Sequence, residues 1–458
     1  MSELEKDQNN VAERELVLEK FDAPAEVLDS ALAKLVKVGG FDFLEASVDG
    51  VENLNPERKA RKKIFLSESD KKTERVELKK KLLLWVQLIQ ESTEIGSMIE
   101  SCSQKSEAAS KLLKKNLKKA LNATNELETN YRSLALFYKN TESDKLKNVT
   151  IMNASLDQMK DLDNTRFIDY ITDELKSNYD RLDLRDNYSI MVIPGYLGSN
   201  KVVEKWSKIA YDNKVMMVTD FANLDTPDDV IDMFDSANLS GGDIYKSNCI
   251  MACNWLVGRG KNTEVGEEED IMVAPSSALA GKIYTTLMSQ VTAGKKHGGM
   301  SEVDAVKFDL RKSEIAQLEK AGLVPMVNEY GKVLAFSAKT LFNGDNLGLQ
   351  TYSVVRVFDY ITKVLIDFLN RRAFENWTSN TERDLRLQIV QFLDSIKGPS
   401  SLIEKFSILR LEQDENQKDK IHVDIHITPY FPAKNFLVKL DGQKGDDATA
   451  WEASYNQQ

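Results

Sequence analysis

The clearest pattern in the chain is a strict alternation of apolar and polar residues near its C-terminal end. In IHVDIHIT, residues 421–428, isoleucine or valine occupies every second position, and the positions between hold His422, Asp424, His426 and Thr428. A period of two in β-branched residues predicts a half-buried strand, which Pro429 ends. Two histidines four residues apart can share a metal ion on a helix, as in the zincin motif HExxH, but on a strand they lie roughly 13 Å apart. The pattern therefore predicts a strand and no metal site.

Between residues 148 and 341, short apolar runs alternate with amphipathic segments. Helical spacing predicts helices over residues 165–180, 202–213 and 313–322. The apolar runs predict strands at NVTIMNAS (148–155), YSIMVIPG (188–195), KVMMVTDF (214–221), SNCIMACNWLV (247–257) and KVLAFSAKTL (332–341). This order predicts a mixed α/β core, of the α+β class.

Helices are also predicted on both sides of this core. Residues 72–140 are helical in pattern and heavily charged, with an apolar stripe that includes Leu82, Leu83, Trp85 and Leu88. A long helix is predicted over residues 349–377, and a capping box of Ser379 and Glu382 begins another. FSILRL (406–411) and KNFLVKL (434–440) predict further strands, and the polar residues from 441 onward predict a flexible tail.

These patterns divide the chain into four regions. They are an N-terminal arm (1–65), a helical region (66–145), an α/β core (146–432) and a C-terminal strand arm with a tail (433–458). Within the first arm, residues 25–38 predict a helix that is closed by Gly39 and Gly40. The apolar face of that helix consists of Val27, Leu28, Leu32, Leu35 and Val36.

Composition and charge narrow the class of protein. The chain has 458 residues and a net charge of −11, which argues against nucleic acid as the main partner. Its apolar runs are shorter than a membrane span and its start is acidic, so we expect a cytoplasmic protein without membrane insertion. Three cysteines are too few for a disulfide framework, and Cys249 and Cys253 are expected to be buried. The basic stretch over residues 58–81 is interpreted first as a solvated helix face, then as a site for an acidic protein, and last as a nucleic-acid site.

Motifs for catalysis are not evident in the sequence. Gly281 and Lys282 resemble the end of a phosphate-binding loop, but Ser276 stands where the first glycine belongs and Ile283 where the hydroxyl belongs. No G-x-S-x-G motif is present. We therefore expect neither enzymatic activity nor a cofactor.

An ordered series of segments resembles a known family. These segments are YRSLALFYKN with KNVTIMNASLDQM, then KSEIAQLEKAGLVPMVNEYGKVLAFSAKTLF, YSVVRVFDYITKVLIDFLNRRAFENW and HVDIHITPYFPAKNFLVKL. In this order they resemble the large subunit of the type VI secretion system contractile sheath, the TssC/VipB family, over residues 128–440. The later segments, with APSSALAGKIYTT before them, also resemble phage tail sheath proteins. Tyr131 and Ser133 stand where many members have Trp and Gly, and the chain most resembles a divergent Bacteroidetes-type branch.

The resemblance implies a phage-tail-sheath-like core and a structural role. It implies a small sheath subunit (TssB/VipA-like), further copies of the chain, an inner tube protein (Hcp-like), a baseplate, and an AAA+ unfoldase (ClpV-like) that grips the helix of residues 25–38. The stripe of Leu82, Leu83, Trp85 and Leu88 is expected to pack against the small subunit. A strand near a terminus with few local partners readily pairs with another chain. Such inter-subunit pairing is expected for Phe436, Leu437, Val438, Lys439 and Leu440, and the resemblance implies it as well.

Two other classes of function stay open from the sequence. A sheath of a phage-tail-like or extracellular contractile injection system needs no small subunit, so tubes formed by the chain alone would favour it. A cytosolic enzyme of unknown type would instead show a deep pocket with convergent polar groups and shifted pKa values.

Overall fold

The computed structural model describes residues 67–91, 94–142, 146, 148–184, 187–434, 436–443 and 449–456. The chain forms two compact units, Met1–Asn116 and Leu117–Gln458. In the first unit, the described residues include α1 (Lys72–Glu91) and the beginning of α2 (Ile95–Asn140). The helices predicted over residues 72–140 are thus confirmed, and the second half of α2, from Leu117 onward, belongs to the second unit.

A five-stranded sheet organises the second unit. Its strands are β1 (Ile190–Tyr196), β2 (Met216–Asp220), β3 (Cys249–Cys253), β6 (Leu323–Glu329) and β7 (Lys332–Ala335), in that spatial order. The first four are parallel, and β7 returns antiparallel to β6. A separate antiparallel pair is formed by β4 (Leu256–Arg259) and β5 (Ile271–Val273).

Both faces of this sheet are covered by helices, which explains why its strands read as continuous apolar runs. On β2, Met217 packs into the core on one face, and Met216 and Val218 pack into the core on the other. Residues of α2, of the helix Ser276–Thr285 and of the helix that begins at Tyr352 cover the second face. The helices of this unit after α2 are α3 (Leu156–Lys160), α4 (Arg166–Tyr179), α5 (Asn200–Asp212), α6 (Pro227–Ala237), α7 (Ser276–Thr285), α8 (Gly294–His297), α9 (Lys312–Ala321), α10 (Leu347–Gln350), α11 (Tyr352–Arg371) and α12 (Ser379–Ser395).

Three details of the sequence-based elements are wrong. Residues 148–155 do not form a strand, because no strand of the described sheets pairs with them; Met152 packs on the core, and Ser155 caps α3 by accepting a hydrogen bond from the Gln158 backbone N–H. The long helix is shorter than predicted. The helix after it is capped by Thr378, which accepts the Thr381 N–H, rather than by Ser379.

A smaller hydrophobic core lies under the next strands. The strands β8 (Ile403–Gln413) and β9 (Ile421–Pro429) form an antiparallel pair, which confirms the strand predicted at HVDIHIT. The residues of this core come from the second and third turns of α11, from α12, and from the start of β8 with the residue before it: Val357, Ile361, Ile389, Leu393, Leu402 and Ile403.

The last described residues form a third separate antiparallel pair, β10 (Leu437–Gln443) and β11 (Thr449–Asn456). The expectation that all residues from 441 onward form a flexible tail is therefore wrong. The missed signal is the alternation in WEASY, where Trp451, Ala453 and Tyr455 are spaced by two.

Candidate assembly surfaces

The last turns of α2 are held to the α/β core by a chain of ion pairs. Glu128 accepts hydrogen bonds from Arg132 (2.9 Å) and Arg259 (3.0 Å), and Arg259 also makes a two-point contact with Glu267 (2.7 and 2.9 Å). Arg132 donates to the Gly258 carbonyl at 2.9 Å. Burial acts to raise the pKa of Glu128, but the two arginines outweigh it and the pKa is lowered. The hydrogen bond from Arg259 lowers the pKa of Glu267 to about 2.

The contact between α2 and α7 is so close that only glycine fits at one position. A Cβ added to Gly281 would lie 2.5 Å from the Phe137 carbonyl oxygen and 2.7 Å from Thr141 Oγ1. The hydroxyls of Ser133 and Ser277 share a hydrogen bond of 2.7 Å in the same buried interface. One side of α2 is therefore fixed against the core at backbone distance.

The opposite side of α2 carries an exposed apolar stripe. Leu127, Tyr131, Leu134 and Tyr138 follow one another at intervals of four, three and four residues, which places them on one helix face. Leu127 is 70% exposed and Tyr131 is 71% exposed. Apolar surface of this kind on a docked helix is typical of a contact with another chain. In the sequence, Tyr131 stands out only as a departure from the family, and the stripe is not predicted.

The structure describes only two of the four side chains predicted to pack against the small subunit on α1. Leu82 and Leu83 are half-buried, and the side chains of Trp85 and Leu88 lie outside the described residues. Val76, Leu78 and Leu84 on the same helix are exposed. Both described helices of this region thus carry exposed apolar side chains. The helix face of Val27, Leu28, Leu32, Leu35 and Val36 lies outside the described residues.

The C-terminal strand arm has a partner within its own chain. β10 pairs with β11 from Leu437 opposite Asn456 to Gln443 opposite Thr449, so the expectation of an arm with few local partners is wrong. Phe436 and Val438 are exposed. In the described part of the chain, β8–β9 and β10–β11 remain separate two-stranded sheets. Their outer edges present backbone N–H and C=O groups on which a strand of another chain can pair.

His422, one of the two histidines of β9, helps to fix the turn that precedes this strand. His422 Nε2 and Asp414 Oδ2 share a hydrogen bond of 2.7 Å, and the backbone N–H groups of Asn416 and Gln417 donate to the same carboxylate. The hydrogen bond from His422, followed by those from the backbone, lowers the pKa of Asp414. These contacts fix the turn between β8 and β9. Among the described residues, no group of three His, Cys, Asp or Glu side chains is arranged to hold a metal ion.

One carboxyl in the core has a strongly shifted pKa. Burial raises the pKa of Asp220 to about 7, against the opposing hydrogen bonds from Ser276 and Gly195. Asp220 Oδ2 accepts the Gly195 N–H (2.8 Å) and the Ser276 hydroxyl (2.5 Å), and Oδ1 accepts the Ser276 N–H (2.7 Å). Both oxygens are thus occupied, and the side chain joins β1, β2 and α7. Cys249 and Cys253 are buried free thiols, as predicted.

None of the described helices combines the length and the apolar composition that a membrane span requires.

Comparisons with known proteins match consecutive parts of the chain to models of one family. Three family models match in order: a TssC/VipB-like N-terminal region at residues 28–117, the type VI secretion system TssC/VipB central domain at 119–343, and a TssC/VipB-like C-terminal domain at 351–457. A search of curated proteins finds no match.

Several solved structures are similar to the chain at low identity. One is the baseplate of the anti-feeding prophage, at 12% identity and a TM-score of 0.46, covering 66% of this chain and 84% of that one. Another is the contracted helical sheath of the same prophage, at 14% identity and a TM-score of 0.46, covering 69% and 81%. A third is a sheath tail protein from Desulfitobacterium hafniense, at 12% identity and a TM-score of 0.38, covering 64% and 59%.

Proposed function

The chain belongs to the TssC/VipB family of the type VI secretion system, whose members form the contractile sheath, and from this premise we propose how the subunit works. It is the large sheath subunit, which co-assembles with a small TssB/VipA-like subunit into a helical tube. The sheath surrounds an Hcp-like inner tube, stands on a baseplate in the cytoplasm, and contracts to propel the inner tube out of the cell. The observation that carries the proposal is the ordered match of three domain models over nearly the whole chain.

The apolar surface of the first helices supports a role in assembly. We assign the small subunit to the α1 stripe of Leu82, Leu83, Trp85 and Leu88. Val76, Leu78 and Leu84 on the same helix are exposed. Their exposure favours a partner there, because removing apolar side chains from water lowers the free energy.

The chain is expected to depend on the small subunit for solubility. Expressed alone it should aggregate or be degraded, because the apolar residues of α1 then face water. Expressed with the neighbouring small subunit it should give long tubes in negative-stain electron microscopy. A soluble monomer with a cooperative melt would contradict this dependence. Tubes formed by the chain alone would favour a sheath of the phage-tail-like or extracellular type.

The mechanical step is proposed to be a change between two packings of the same subunits. The energy is stored when the extended sheath assembles, and firing consumes no nucleotide. Phe436, Leu437, Val438, Lys439 and Leu440 link one subunit to the sheet of a neighbour, so subunits rotate without separating. The enclosed Asp220 supports a non-catalytic role, since its two oxygens serve the fold.

Recycling is proposed to use the N-terminal arm. A ClpV-like AAA+ unfoldase binds the face of Val27, Leu28, Leu32, Leu35 and Val36, because an amphipathic helix can enter an apolar groove. Deletion of residues 1–40 should leave firing intact and cause contracted sheaths to accumulate, as counted by fluorescence microscopy of labelled sheaths. Normal disassembly in the deletion strain would place the binding site elsewhere, for example on the small subunit.

A further inference from the structure

The helices α7 and α8 contribute a cluster of basic side chains to the surface. Lys282 on α7 and Lys295, Lys296 and His297 on α8 form this basic patch, in which Lys295 and Lys296 are exposed. Burial, followed by the charges of Lys296 and Lys282, lowers the pKa of His297, so these groups lie close enough to repel one another. In the described part of the chain, none of the three lysines forms an ion pair.

Both helices of the basic patch are fixed to the α/β core. Gly281, next to Lys282, lies against the backbone of α2. A Cβ added to Gly298, the residue after α8, would lie 2.6 Å from the Ala335 carbonyl oxygen, and the Ala335 N–H donates to the Gly298 carbonyl at 2.9 Å. The patch is therefore preformed, and an anionic partner can bind it without first ordering a loop.

A loop of opposite charge lies on the same unit, between β4 and β5. This acidic loop, residues 264–270, exposes the carboxylates of Glu268 and Glu269. The Glu268 side chain is 90% exposed, and its ion pair with Lys118 is loose, at 3.8 Å. The two-point contact with Arg259 fixes the shape of the loop. It therefore presents its free carboxylates as a preformed surface as well.

The two surfaces lie at different ends of the docked part of α2. The acidic loop contacts Lys118, whereas the basic patch begins beside Gly281, which lies against Phe137. Lys118 and Phe137 are about 28 Å apart along the helix, at roughly 1.5 Å rise per residue. The acidic loop is therefore free to meet the basic patch of another subunit.

We propose that the basic patch of one subunit binds the acidic loop of a second copy of the chain in the assembled sheath. The inference rests on the proposed function, because only a polymer brings such copies together. A contact between two different surfaces of identical subunits is head-to-tail, and its repetition gives an open helix instead of a closed dimer. Opposite charges at this contact set the register of the subunits and accelerate their association.

Reversing the charge of either surface is expected to impair assembly. In the complex with the small subunit, K295E/K296E and E268K/E269K should each raise the critical concentration for sheath assembly about tenfold, because like charges then face each other. Sedimentation measures this concentration. The melting temperature of the unassembled complex should stay the same, since the four side chains are exposed. Assembly of both variants at the wild-type concentration would overturn the proposal.

The decisive variant carries both reversals in one chain. With K295E/K296E and E268K/E269K together, every such contact again joins opposite charges, so sheaths should form near the wild-type critical concentration. A loss of assembly greater than that of either single-surface variant would show that the two surfaces bind something other than each other, such as the inner tube. That result would overturn the proposal.

A matched control separates this contact from an effect of net charge. K201E/K205E reverses two exposed lysines on α5, changes the net charge as much as K295E/K296E does, and should assemble as the wild type does. An equal loss of assembly in this control would overturn the proposal.

Cross-linking identifies which chains meet. Carbodiimide treatment of wild-type sheaths built from isotope-labelled and unlabelled subunits should join Glu268 to Lys296 in mixed-isotope pairs, as read by peptide mass spectrometry. Links confined to one chain would overturn the proposal. A wild-type complex that forms no sheath would instead contradict the proposed function, and this inference would fall with it.

Discussion

Replacing Gly281 with alanine is expected to detach α2 from the α/β core and to lower the free energy of unfolding by about 3 kcal/mol. The added Cβ would stand 2.5 Å from the carbonyl oxygen of Phe137 and 3.3 Å from the carbonyl carbon of Asn140. These are backbone atoms, which cannot rotate away as a side chain can. Urea unfolding of the complex with the small subunit measures the loss, and limited proteolysis should show faster cleavage within α2.

The matched control is Gly260 to alanine. A Cβ at Gly260 meets no atom within 4 Å, so this change should alter the free energy of unfolding by less than about 0.5 kcal/mol. If both variants behave alike, close approach of α2 and α7 is not what secures the helix. Sheaths of normal length from the Gly281 variant would lead to the same conclusion.

Replacing Val438 with proline is expected to abolish polymerisation while the α/β core stays folded. Val438 lies in β10 opposite Tyr455, and proline removes one backbone donor and breaks the strand. In the described part of the chain, the β10–β11 sheet is separate from the five-stranded sheet, so the substitution should not destabilise the core. The complex with the small subunit should therefore form and melt normally, and electron microscopy should show no long sheaths.

A threonine at Val438 is the control for this strand. It keeps the β-branched shape and the backbone N–H, so sheaths should still form. Ordinary long sheaths from the proline variant would refute the proposal that this strand links subunits.

Most of the α/β core could be predicted from the sequence because each buried strand appears there as a run of apolar residues. The first three residues of β2 and all five of β3 are apolar, a pattern typical of a strand covered on both faces. The errors at residues 148–155 and 449–456 have one cause. Whether an alternating segment becomes a strand depends on an available partner strand, which is a property of the folded chain.

The assembly surfaces could be predicted less well. The apolar positions of α2 divide between a docked face, with Leu136, and an exposed face, with Leu127 and Tyr131. Helical spacing shows both sets but cannot show which face the core covers.

The helix α11 contributes to two hydrophobic cores. Tyr352 and Val355 pack beside the five-stranded sheet, whereas Val357 and Ile361 pack in the smaller core with α12 and β8. No hinge separates these residues, because they belong to successive turns of one helix. In the proposed sheath, we expect tension applied at β8 and β9 to pass along this continuous helix into the five-stranded sheet, because no linker between the two cores can absorb it. We therefore expect the movements of contraction to occur at the contacts between subunits and not within the subunit.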